Sequence, residues 1–130
     1  MNANLIRLGV ALVSLIGPIH AAYAQWRGGI GVIGDSYSDE YQFYAPDRST
    51  AQNWVEILAA TRKLDFGPFS NAPRGEPRNQ GYAYNWARSD ATTETMIATG
   101  QHTGLAAQVA HGDVTLAVMF IGGNDFINAM

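Results

Sequence analysis

The stretch Ile30-Gly31-Val32-Ile33-Gly34-Asp35-Ser36 decides the fold class of this chain. Its first four residues form a short apolar run, which predicts a buried β-strand, and the polar triplet Gly34-Asp35-Ser36 follows at once. A second apolar run, Val114 to Ile121, ends in a similar way, in Gly122-Gly123-Asn124-Asp125. Near-continuous apolar strands are typical of a parallel sheet that is covered on both faces. Together with the helical segments between them, they predict a doubly wound α/β architecture.

Two helices are predicted between these strands. The first follows Ser49-Thr50-Ala51-Gln52, which has the form of a capping box, and continues from Trp54 with apolar residues at helical spacing. The second covers Thr103 to His111, with Gly112 as its terminator.

The segment between the helices is expected to be irregular. Gly67 to Gly81 is rich in Gly, Pro, Asn and Arg, which predicts a long exposed loop, and Tyr82 to Ala87 is expected to be extended. Only about three strands can be counted, whereas a doubly wound sheet usually has about five. We therefore expect these residues to form only part of a domain.

The first 24 residues have the pattern of a secretory signal peptide. Arg7 supplies a positive charge, Leu8 to Ile19 an uncharged apolar stretch, and Ala22-Tyr23-Ala24 a small-x-small cleavage site. A retained membrane anchor is the alternative, but the stretch is short for a span of about 20 residues. We expect cleavage after Ala24, a mature domain in residues 25–130, and a secreted or periplasmic protein without a stable membrane anchor.

Composition excludes several classes of function. The formal net charge is −3, so there is no basic surplus for binding nucleic acid. Cysteine is absent, which excludes disulfides, thiolate metal sites and a cysteine nucleophile. With 47% hydrophobic and 15% charged residues, the chain has the composition of a folded protein.

The polar clusters after the two strands carry the candidate chemical groups. In an open parallel sheet the ligand crevice lies beyond the carboxyl ends of the strands, so both clusters are expected to face it. A serine such as Ser36 can attack a carbonyl carbon if a base takes its proton, and the amide of Asn124 can donate to the resulting oxyanion. Taken singly, the first cluster is equally well a turn, and Asn124 a helix cap.

Three blocks of the chain resemble those of the SGNH/GDSL hydrolases. Gly34-Asp35-Ser36-Tyr37-Ser38-Asp39 is similar to the first block, which carries the nucleophile of that family. Asn85-Trp86-Ala87-Arg88-Ser89-Asp90-Ala91 resembles the second block, and Gly122-Gly123-Asn124-Asp125 resembles the third; both supply oxyanion-hole donors. The resemblance implies Ser36 as catalytic nucleophile, with the N–H groups of Ser36 and Asp90 and the side-chain amide of Asn124 as the oxyanion hole.

The same resemblance implies a fold and an activity. The fold is a flavodoxin-like three-layer α/β/α sandwich with a parallel sheet, incomplete in this chain. The activity is that of a serine esterase or lipase-like hydrolase working through an acyl-enzyme on a small-molecule, lipid or acylated-carbohydrate ester. An acyltransferase would use the same residues. No metal, organic cofactor or nucleic acid is implied.

Asp90 is the first departure from the family pattern, which has glycine at this position. The backbone N–H is kept, but a left-handed aspartate costs about 1 kcal/mol. Its carboxylate would also oppose a nearby oxyanion unless the side chain turns away, and it could instead cap the following turn.

The second departure is the absence of an Asp-x-x-His block, which in the family supplies the general base and its orienting acid. His102 and His111 both precede the third block and are interpreted as surface or helix-end residues. We therefore expect the chain to be the N-terminal part of an enzyme and inactive by itself. The alternative is a non-catalytic exported binding protein that retains the fold, which Asp90 favours.

Gly29 to Gly34 matches the pattern G-x-G-x-x-G of dinucleotide sites, and Glu56 follows at a suitable number of residues for a ribose contact. We nevertheless reject a dinucleotide site here. No strand is predicted before it in the mature chain, and an aromatic loop rather than a helix follows it. The aromatic residues of that loop could line an acyl or sugar pocket or pack over the first helix.

Overall fold

The computed structural model describes residues 28–43, 50–72 and 81–130, so the predicted signal peptide and Ser49 lie outside the described residues. The elements, in chain order, are strand β1 (Gly29–Gly34), a 3-10 turn (Tyr41–Phe43), helix α1 (Trp54–Arg62), short strands β2 (Phe69–Ser70) and β3 (Gly81–Tyr82), helices α2 (Thr93–Ala98) and α3 (Gln101–His111), strand β4 (Val114–Phe120) and helix α4 (Gly123–Asn128).

The central sheet is parallel, as predicted. Strands β1 and β4 pair along their length, with Val32 opposite Val118. On the other edge of β1, Asn85 forms an isolated parallel bridge to Val32. There the Val32 N–H donates to the Tyr84 carbonyl at 2.9 Å, and the Trp86 N–H donates to the Val32 carbonyl at 2.8 Å. β1 therefore lies in the middle, and all three segments end at the same edge.

Helices cover both faces of β1, because alternate strand residues point to opposite sides. One core lies on the α1 side and the other on the side of α2 and α3, and this gives the three layers expected of an α/β/α fold. The buried residues are Ile30, Val32, Val55 and Phe66 in the first core and Ile33, Met96, Leu105 and Val114 in the second.

Helix α1 begins later than its predicted capping box at residues 49–52. Its N-cap is Asn53, whose side chain accepts a hydrogen bond from the Glu56 N–H at 3.0 Å. The Glu56 carboxylate in turn accepts from the Asn53 N–H at 2.8 Å. The Asn53 amide also donates to the Asp39 carbonyl at 2.7 Å, and this tertiary contact favours Asn53 as the cap. The predicted position was wrong, and Glu56 belongs to the cap.

The predicted loop Gly67 to Gly81 is partly wrong, because residues near its two ends pair, while its middle part, residues 73–80, lies outside the described residues. Phe69 lies opposite Tyr82 in a short antiparallel pair of β2 and β3. Helix α2 was not predicted; Thr92 caps it, and its side chain accepts from the Thr95 N–H at 3.2 Å.

Helix α3 and strand β4 match their predicted ranges, but not in every exposure. Helix α3 ends at His111 and its C-cap is Gly112, which has a φ of 90°, and Leu105 of this helix is buried. In β4, however, Met119 is 65% exposed and Phe120 51% exposed. The expectation that both faces of β4 are covered is therefore wrong for the part of the chain that the structure describes.

Candidate active site

Ser36 lies on a tight turn directly after β1. The N–H groups of Ser38 and Asp39 both donate to the Asp35 carbonyl, at 3.0 and 3.2 Å, and the Tyr37 N–H donates to the Asp35 carboxylate at 3.0 Å. The Asp35 N–H itself donates to β4. Within the described ranges, the Ser36 N–H is thus the one backbone donor of residues 35–39 without a partner. We call residues 35–39 the nucleophile turn, after the role that the sequence predicts for Ser36.

Gly34 fixes the start of the nucleophile turn. A Cβ on this residue would overlap the Phe120 carbonyl of β4, so glycine is required for the close approach of the two strands. The Gly34 N–H donates to Gln101 Oε1 at 3.0 Å, and its carbonyl accepts from Gln101 Nε2 at 3.2 Å. The Arg88 N–H donates to the same carbonyl at 3.1 Å. The turn therefore starts from a residue that is held on both sides.

Asp90 occupies the third position of a second turn, residues 88–91, which we call the oxyanion turn after the role that the sequence predicts for the Asp90 N–H. The Ala91 N–H closes it by donating to the Arg88 carbonyl at 3.2 Å. Asp90 has a φ of 65°. A positive φ at the third position is what a type II turn requires, and it is why glycine suits this position. The left-handed conformation considered from the sequence is thus present.

The oxyanion turn, like the nucleophile turn, has one unpaired backbone N–H between two N–H groups that are hydrogen-bonded. The Ser89 N–H donates to Asp39 Oδ2 at 2.8 Å, and the Ala91 N–H is paired as described. Between them, the Asp90 N–H has no hydrogen-bond partner among residues 28–43, 50–72 and 81–130. The exposed side chain of Asp90 does not cap α2, because Thr92 is the N-cap.

Asn124 and Asp125 join the third block to the second. Asn124 lies in the first turn of α4, and one of the two hydrogens on its Nδ2 goes to the Ala91 carbonyl at 2.8 Å. The Asp125 carboxylate accepts from the Thr93 N–H at 2.9 and 3.0 Å and from the Thr93 hydroxyl. These hydrogen bonds lower the pKa of Asp125. The proposed donor Asn124 is therefore anchored beside the oxyanion turn.

The three sequence-predicted site residues thus lie on connected segments at one edge of the sheet. The two described histidines are elsewhere in the hydrogen-bond network. His111 Nδ1 lies 3.0 Å from the Asp113 carboxylate, and His102 contacts the Thr103 hydroxyl at 3.2 Å. Both are exposed on α3, as expected from the sequence.

A cavity of about 230 Å³ adjoins the oxyanion turn. Its walls are the turn residues themselves, Thr95 of α2, the C-cap residue Thr99 and the buried Gln101. A carboxyl group also lies behind the nucleophile turn: Glu40 Oε1 accepts from the Tyr82 N–H at 2.9 Å. Burial raises the pKa of Glu40 to about 7.

Sequence reasoning did not identify Asp39 or Gln101 as residues that shape the site. Asp39 belongs to the first block, and its place three residues after Ser36 was the available signal. Gln101 carries no such signal, because its partner Gly34 is 67 residues away.

A family model described as GDSL-like Lipase/Acylhydrolase matches residues 30–130, a range that includes all three blocks. Neither a curated protein nor a solved structure matches the chain. Among the helices in the described parts of the chain, none has the length and apolar character needed to cross a bilayer.

Proposed function

The chain belongs to the GDSL-like Lipase/Acylhydrolase family, whose members are esterase- and lipase-type hydrolases of small-molecule esters, and from that membership we propose a secreted enzyme that cleaves carboxylic esters through an acyl-enzyme on Ser36. One observation carries the proposal. In the described ranges the N–H groups of Ser36 and Asp90 are unpaired, while the N–H groups on either side of each are hydrogen-bonded. Unpaired backbone donors on two connected turns suit the binding of an oxyanion.

The proposed reaction begins when Ser36 Oγ attacks the ester carbonyl carbon and gives its proton to a base. The carbonyl oxygen becomes an oxyanion that accepts hydrogen bonds from the Ser36 and Asp90 N–H groups and from the Asn124 amide. When the intermediate collapses, the C–O bond to the alcohol breaks, and the alcohol leaves with the proton from the base. Water then attacks the acyl-enzyme in the same way, and this releases the acid and restores Ser36.

The base in this proposal is a histidine oriented by an aspartate. The family's Asp-x-x-His block is not among the 130 residues, and the proposal places the proton acceptor outside them. Without a base, a serine site retains only the rate enhancement due to binding and the oxyanion hole. The test therefore uses the full-length natural protein.

Ser36→Ala in that protein should abolish hydrolysis of an activated short-chain ester and prevent labelling by an organophosphonate. Ser70→Ala is the matched control, because Ser70 lies on β2 and its hydroxyl accepts from the Ala72 N–H at 3.1 Å, away from the two turns. The control should hydrolyse the ester at the wild-type rate. Ester hydrolysis that persists in Ser36→Ala would show that the nucleophile is another residue.

Asn124→Ala should leave organophosphonate labelling possible but slow turnover by about 10²- to 10³-fold, the usual effect of losing one oxyanion donor.

A second candidate function, a non-catalytic binding protein, rests on Asp90, whose exposed carboxylate stands where the family pattern has glycine. If neither the wild type nor Asp90→Gly hydrolyses any ester, a non-catalytic binding protein becomes the better interpretation.

A further inference from the structure

One side chain joins the two turns that carry the unpaired donors. The Asp39 carboxylate is completely buried, and its Oδ2 accepts from the Ser89 N–H at 2.8 Å across 50 residues of sequence. The Asp39 N–H donates to the Asp35 carbonyl at 3.2 Å, which closes the turn around Ser36. The backbone of Asp39 is thus part of the nucleophile turn, and its side chain is hydrogen-bonded to the oxyanion turn.

The hydrogen bond between Asp39 and Ser89 lies where it can fix the orientation of the two turns relative to each other. The Arg88 N–H and the Gly34 carbonyl also join the two turns, at 3.1 Å, but at their bases. A single hydrogen bond fixes one distance and leaves a turn able to rotate about it. The bond from Asp39 to Ser89 is a second point of attachment between the two turns, one residue from Asp90, and it restricts that rotation.

The oxyanion turn depends on such attachment because of its own sequence. Asp90 is left-handed, with a φ of 65°, and for a residue with a Cβ this costs about 1 kcal/mol. Asp39 is well placed to hold it, since a buried carboxylate accepts a stronger hydrogen bond from an N–H than a neutral oxygen does. The Asp39 carbonyl is in turn held by the Asn53 amide at 2.7 Å.

We propose that Asp39 is a positioning residue of the oxyanion hole, which sets the distance and orientation between the Ser36 and Asp90 N–H groups. The inference rests on the proposed function. Asp39 does not touch the ester; it acts through the peptide group between Arg88 and Ser89. Its effect should therefore appear in the chemical step, where the oxyanion develops, rather than in substrate binding.

The test measures kcat and KM for an activated ester with the full-length natural protein. Asp39→Ala removes the acceptor and should lower kcat by about 10- to 100-fold, as a misplacement near 1 Å does, with KM nearly unchanged. Asp39→Asn keeps an oxygen in the same place and should restore most of kcat. Asp65→Ala is the control, because Asp65 makes the same type of bond to the Gly67 N–H, at 2.8 Å, on the exposed surface. Its kcat should stay at the wild-type value.

A second variant covers the case in which Asp39→Ala does not fold. Ser89→Pro removes the donor and leaves the buried side chain of Asp39 in place, and proline is favoured at the second position of such turns. It should lower kcat as Asp39→Ala does, and the double variant should be no slower than either single one. An unchanged kcat in Asp39→Ala or Ser89→Pro, or a loss confined to KM, overturns the positioning role. A wild type that neither hydrolyses esters nor reacts with an organophosphonate defeats the proposed function instead.

Discussion

At the scale of single residues, Asp90 has a left-handed backbone conformation that glycine would adopt without strain. Lys63 and Asp90 are the two residues other than glycine with a positive φ in the described ranges, at 55° and 65°. Lys63 ends helix α1, where a left-handed residue is common. Asp90 has the same backbone strain at the edge of the proposed active site, and it adds a negative charge there.

Asp90→Gly should therefore raise kcat, because it removes both the strain and the carboxylate near the developing oxyanion. Asp90→Asn separates the two causes, since it removes only the charge and asparagine tolerates a left-handed conformation. If charge dominates, asparagine should give most of the gain. Lys63→Gly is the control, because it relieves the same kind of strain at the C-cap of α1, outside the two turns, and it should leave kcat unchanged. Steady-state kinetics of the three variants check this, and a slower Asp90→Gly contradicts it.

Motif spacing was enough to propose residues with chemical roles, but it did not indicate the residues that hold their turns in place. Ser36, Asp90 and Asn124 lie in short blocks after predicted strands, so local sequence was enough to propose them. Asp39 and Gln101 act on partners 50 and 67 residues away. Such pairings depend on how β1 lies against its neighbours, which a local pattern does not contain.

At the scale of elements, Glu40 attaches the segment after the nucleophile turn to the β2–β3 pair. Glu40 is 1% exposed, and its carboxyl accepts from the Tyr82 N–H of β3. The carboxyl also lies directly against Gly81, where a Cβ would overlap it. Burial, opposed by hydrogen bonds from Tyr82 and Asn85, raises the pKa of Glu40 from 4.5 to about 7.

This pKa predicts that the folded protein loses stability as the pH rises. Between pH 4.5 and about 7 the folded state holds the Glu40 proton and the unfolded state does not, so the free energy of unfolding falls with increasing pH. The full loss is at most about 3 to 4 kcal/mol, at roughly 1.4 kcal/mol per pKa unit over the change from 4.5 to about 7. Urea unfolding at pH 5 and pH 7.5 should show it. Glu40→Gln, which keeps an acceptor for Tyr82, should remove most of this pH dependence, whereas the exposed control Glu94→Gln should keep it.

The elements that the sequence predicted are those with a strong local pattern. Strands β1 and β4 have apolar runs, and α3 has a helical period and a terminal glycine. Helix α2 was missed because its six residues bury only Met96 and so show no apolar period. The β2–β3 pair was missed because two residues on each side are too few to form a pattern.

At the scale of the whole molecule, the sheet is covered over β1 and open over β4. Parallel sheets normally have both faces covered, and the apolar run of β4 led to the same expectation. Among the described residues, only β1 pairs with β4. Helix α3 packs against it, and the side chains of Leu116, Met119 and Phe120 stay exposed.

Secretion is the other prediction at this scale, and it rests on the first 24 residues alone. Expressed with its own leader in a bacterial host, the protein should begin at Gln25 and be soluble outside the inner membrane. Ala24→Tyr should block cleavage, because the position before the cleaved bond requires a small residue. Intact mass of the purified protein distinguishes the two forms. A wild-type chain that keeps its leader in the membrane fraction would refute export by cleavage.

The buried amide of Gln101 has a consequence for how this sequence can vary. A carboxamide offers an acceptor and a donor, as a peptide group does. The side chain of Gln101 therefore makes the two hydrogen bonds to Gly34 that the backbone of a neighbouring strand would make. Glutamate at this position would lack the donor, methionine would lack both groups, and asparagine would be one methylene too short. Substitutions on the outer surface of α3 should therefore be tolerated. At position 101, almost no other side chain can make both hydrogen bonds to Gly34.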